Sequence, residues 1–129
     1  MATPRQKRLQ KLVLVMQRLK NFHQAQHAAH LAAAAAAENE AKSIGETLDD
    51  GTLMSELFPE LYHRRASNAL ERSRASSERA RHEARNVLEA DARGDALTRA
   101  YREASELAER NDADRERLEF IERSSKNET

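Results

Sequence analysis

Three histidines share a spacing that could do chemistry. His23, His27 and His30 stand at intervals of four and three, which puts them on one face of a helix. Imidazoles at i and i+4 can chelate a transition metal. A row of imidazoles can also act as a pH-sensitive patch, because their charge changes near neutrality. A second helix returning alongside would set His82 opposite, with Glu78 and Glu83 as candidate orienting carboxylates. No carboxylate lies in that stretch of the first helix. The reading favoured over metal or pH sensing is therefore a polar, partly exposed section of helix. Other chemistry is excluded more directly. The chain has no cysteine, which removes thiol catalysis, disulfides and Cys-ligated zinc. It has no GxSxG, no Gly-rich phosphate loop and no HExxH. We expect no catalytic residue, no metal and no cofactor.

Two other groups could recognise partners. The first is basic. Arg5, Lys7, Arg8, Lys11, Arg18 and Lys20 fall in residues 1–37, which contain no acid. That composition resembles a mitochondrial transit peptide, but the amphipathic pattern runs smoothly past it. The group could also bind phosphates, yet the 22 basic and 22 acidic residues cancel, and no DNA-binding motif is present. Balance against acids within the chain, or docking onto an acidic protein surface, fits better. The second group is apolar: Leu53, Leu57, Phe58, Leu61 and Tyr62 form a dense cluster. Two readings stay open for it, a plug that closes the end of a helical pair and a knob that binds a partner.

The elements that hold these groups are helices. With 129 residues the chain allows one domain. Three glycines and two prolines are too few for an all-β chain. Alanine supplies 23 of the apolar residues, which favours long helices with thin seams over a globular enzyme. Thr3-Pro4-Arg5-Gln6 reads as a capping box with proline at the first helical position. Leu9, Leu12, Met16, Leu19 and Phe22 follow at helical spacing, then Ala32 to Ala37. Gly51 marks the stop. We expect a helix over about 4–48, a tip over 49–59 with a break or kink at Pro59, and a helix over about 60–123. Gly94 need not interrupt the second helix. No segment is long and apolar enough to span a membrane, and none reads as a secretory signal.

Together these features predict an all-α fold, a long antiparallel two-helix coiled-coil hairpin with a short helical tip. A turn near residues 50–58 implies facing positions that sum to about 107. Small then meets small, with Ala66, Ala69, Ser73, Ser76, Ala80 and Ala84 against residues 25–41. Bulky meets bulky, with Val87 and Leu88 against Leu19 and Phe22, and Leu97 and Tyr101 against Leu9 and Leu12. Folding the chain in half also brings basic blocks to acidic ones. Residues after about 103 are left without a partner, yet they include Leu107, Leu118, Phe120 and Ile121. Such an overhang must fray or dock.

The whole-chain pattern resembles the FliJ/YscO family of type III (flagellar) export components. The likeness is carried by Arg8-Leu9-Gln10-Lys11-Leu12, a first helix drifting into Ala and Gln, and the tip Leu57-Phe58-Pro59-Glu60-Leu61-Tyr62. An Arg-rich second helix from His63-Arg64-Arg65-Ala66 to Glu122-Arg123 completes it. This resemblance implies a non-enzymatic cytoplasmic stalk, peripheral to a membrane-embedded export apparatus. It would bind the hexameric export ATPase, the export gate protein and export chaperones. Arg5, Lys7, Arg8, Lys11, Leu118 and Ile121 would face the ATPase, and Leu57, Phe58, Leu61 and Tyr62 the gate. The alternative function is a generic coiled-coil adaptor or chaperone-like scaffold.

Overall fold

A computed structural model describes residues 2–127. The chain is an all-α helical hairpin with the order α1 (Pro4–Asp50), α2 (Leu53–Leu57) and α3 (Pro59–Asn127). Local chemistry sets each boundary. At the start of α1, the Thr3 backbone N–H donates to Gln6 Oε1 at 2.7 Å and the Gln6 N–H to Thr3 Oγ1 at 3.2 Å. This is the expected capping box. At the other end, Gly51 takes φ +67 and its N–H reaches the Thr47 carbonyl at 3.2 Å. A Cβ there would come within 3.2 Å of Glu56 Oε1, so glycine suits both the backbone and the space. Thr52 caps α2 by accepting the Ser55 N–H at 3.2 Å. The expected break at Pro59 is real. Proline cannot donate inside a helix, so α2 closes at Leu57 and Pro59 opens α3. The second helix runs on to Asn127, past the expected end near 123.

The hairpin divides into two compact units. In the unit of residues 20–89, α1 and α3 pack antiparallel. Ser73 Oγ donates to the Ala34 carbonyl at 3.1 Å, and Arg72 pairs with Glu40 at 2.8 Å. The α1 residues drawn from solvent include a stripe of His23, Gln26, His30, Ala34, Ala37, Ala41, Ile44 and Leu48, with His27, Gly45 and Thr47 at its edge. On α3 the matching stripe is Tyr62, Ala66, Ala69, Ser73, Ser76, Ala80, Glu83 and Val87, with Ser77, Ala84 and Asn86 beside it. Steps of three and four average about 3.5, the repeat of a coiled-coil seam. The seam is small-on-small: Ala69 is fully buried and Ala80, Ala34 and Ala37 nearly so.

The unit of residues 2–19 with 90–127 is built the same way, with larger groups on α1. Gln6, Leu9, Val13, Met16 and Leu19 meet Ala90, Gly94, Leu97, Tyr101, Ala104 and Ala108. Gln6 Nε2 donates to Ser105 Oγ at 3.1 Å. Gly94 stays helical, and a Cβ there would sit 3.8 Å from Met16 Cβ, an ordinary contact. The glycine therefore ends nothing, as expected.

Two expectations need correcting. The facing rule holds at Ala34 with Ser73 but slips by four residues at Gln6, which meets Ser105 in place of residue 101. The seam therefore reaches Ala108, not about 103. The second correction concerns Phe22 and Leu88, which stand out of the seam, Leu88 at 69% exposure. Each is one residue off a seam position, His23 and Val87, and one residue turns a side chain about 100° around the helix. Leu12 gives way to Val13 for the same reason.

Candidate docking surfaces

The histidine face carries the clearest polar geometry. His23 Nδ1 lies 2.5 Å from Glu83 Oε2, with both side chains mostly withdrawn from solvent. The edge of the His23 ring meets Phe22, with centroids 5.3 Å apart at 68°. The hydrogen bond with His23 holds the Glu83 carboxyl below the usual carboxylate range. Asn86 and His82 add to the effect, and partial burial opposes it. His30, Glu78, Arg79 and His82 line a shallow groove beside the pair. Glu83 thus reaches across from α3, as the register suggested, but it engages one imidazole. Among the described residues, no three His, Asp or Glu side chains are placed to hold a metal ion. The arrangement is a helix-to-helix contact.

The tip settles one local question. Leu53, Met54, Leu57, Phe58 and Leu61 are all exposed, Leu53 at 73%. They do not fill the end of the hairpin; the buried residue of the tip is Ser55. Its hydroxyl donates to the Thr52 carbonyl at 2.9 Å. Tyr62 differs from its neighbours. It is half-buried at the start of the α3 seam. Leu57, Phe58 and Leu61 instead line a shallow groove flanked by Glu60 and Arg64.

The third surface is the far end of α3. From Glu109 to Asn127 every residue is exposed. Leu118, Phe120 and Ile121 lie there, Phe120 at 70% exposure, and Phe120 and Ile121 line a shallow groove with Ala113, Glu116 and Arg117. Arg117 pairs with Asp114 along the helix at 3.7 Å. On α1, Lys7, Gln10, Lys11, Val13, Leu14 and Gln17 line another groove. Arg5, Lys7, Arg8 and Lys11 are exposed, as are Leu118 and Ile121. The two sets do not converge. Leu118 lies thirteen residues past Ser105, the contact of Gln6, which is roughly 20 Å along a helix.

Sequence reasoning missed Leu14, Val15, Leu31 and Leu70, which are exposed. The signal was available. Each falls between the positions of a 3.5-residue stripe fitted to the alanines. Among the described residues, no helix is long and apolar enough to cross a membrane. No family model, curated protein or solved structure matches the chain.

Proposed function

We propose that the chain is a non-enzymatic docking protein that serves as a stalk of a type III (flagellar) protein export apparatus. One observation carries the docking part. Helix α3 continues past its last paired turn as an exposed helix, from Glu109 to Asn127, with Leu118, Phe120 and Ile121 open to water. An isolated helix of that length is marginal in water. Open leucine, isoleucine and phenylalanine side chains gain roughly 1.5–3 kcal/mol each on full burial. A partner that covers this segment supplies both burial and order.

The export part rests on the resemblance of the whole-chain pattern to the FliJ/YscO family. In that reading the exposed basic residues Arg5, Lys7, Arg8 and Lys11 and the exposed Leu118 and Ile121 contact the export ATPase. Leu53, Leu57, Phe58 and Leu61 face the gate protein, while Tyr62 acts from within the seam. The proposed place of work is the cytoplasmic side of a membrane-embedded apparatus, among its chaperones. The test is binding of the cognate export ATPase to the full chain and to a Leu118→Asp, Ile121→Asp variant. Both substituted sites are exposed, so helicity should be kept while binding falls at least tenfold. Equal binding by both proteins would remove the assignment of that end. Absence of binding by either would favour a general helical adaptor.

A further inference from the structure

We infer that the hairpin tip is self-complementary and that two copies of this chain dock tip to tip about a two-fold axis. The surface has an apolar centre, Leu53, Met54, Leu57, Phe58 and Leu61, with exposures from 47% to 73%. A fully exposed side chain of this size presents on the order of 200 Å², so the five leave roughly 500 Å² open per copy. Covering most of it on both copies buries on the order of 1,000 Å², the lower edge of a specific interface.

Charge selects the second copy as the occupant. Glu60 and Arg64 lie four residues apart on α3 and flank the groove formed by Leu57, Phe58 and Leu61. A two-fold operation lays each copy's groove antiparallel on the other. Glu60 of each then meets Arg64 of its mate. An isologous interface requires this pairing of unlike positions. A partner with charge of one sign would satisfy one side of the groove and oppose the other. At this area the dimer should be weak, with a dissociation constant on the order of tens of micromolar.

The inference does not depend on the export reading and is tested with the chain alone. Sedimentation velocity across a concentration series should show a monomer–dimer equilibrium for the wild type. Leu57→Asp with Phe58→Asp should be monomeric throughout, with unchanged helical circular dichroism. Glu60→Arg and Arg64→Glu should each weaken association about fivefold or more, and mixing the two should restore it. The variant Leu118→Asp with Ile121→Asp should dimerise like the wild type, even where it has lost the ATPase. A wild type that stays monomeric to hundreds of micromolar would overturn the inference. So would a dimer that survives the tip substitutions, because its contact would then lie elsewhere.

Discussion

His23 occupies a seam position on α1 where the opposing α3 stripe is mostly alanine and serine. The imidazole is accommodated there because Glu83 meets its Nδ1 across the seam. The pair has a definite pH signature. The Glu83 carboxyl titrates below the usual range because the hydrogen bond with His23 favours its charged form. Its stabilisation is therefore complete above the ordinary carboxylate range. It is lost as the pH falls through the lowered value. The melting temperature of Glu83→Gln should lie below that of the wild type near neutrality, and the gap should close on the acid limb. A gap that is constant with pH would contradict this role for the pair. The three histidines were visible in the sequence, and Glu83 was among their candidate partners. That only His23 would find a carboxylate was not visible, because it depends on the register between helices.

At the scale of elements, the seam inverts the usual expectation for large apolar residues. The buried apolar residues are alanines, and Leu88 is mostly exposed. Ala69 has no exposed surface, so a larger side chain there must displace the facing helix. Ala69→Leu should lower stability by about 1–3 kcal/mol through overpacking, whereas Leu88→Ala should stay within about 0.5 kcal/mol. Chemical denaturation of the two variants checks the contrast. The reverse order would mean that the seam is misplaced. The tip belongs to the same logic. Phe58→Asp with Leu61→Asp should move the melting temperature by only a few degrees, because neither side chain is core. Helix starts and stops were legible because they depend on nearby residues, Thr3 with Gln6, Gly51, Thr52 and Pro59. The seam was legible in its small residues and misread at Phe22 and Leu12. There, two adjacent stripes were both apolar, and only the full-length register chose between them.

At the scale of the whole molecule, the charges cancel while the large apolar groups stay uncovered. This balance gives polyanions no net field to follow, and the docking proposal carries an expectation for nucleic acid. The full chain should give no mobility shift with duplex DNA or single-stranded RNA at low salt. A strong salt-dependent shift would oppose the docking reading. The unpaired end was foreseen from helix lengths alone, because α3 outruns α1. Its starting point was placed a turn too early, since the slip between seams cannot be read from one helix. The partner proposed for that end is the least legible feature, because exposed leucines offer apolar area without specifying what would cover it.

The most direct measurement is ATP hydrolysis by the cognate type III export ATPase during titration with the full chain. A saturable stimulation at fixed stoichiometry, lost with Leu118→Asp and Ile121→Asp, is the predicted result. An ATPase rate unchanged by a saturating excess of folded chain, with no complex formed, would contradict the stalk assignment.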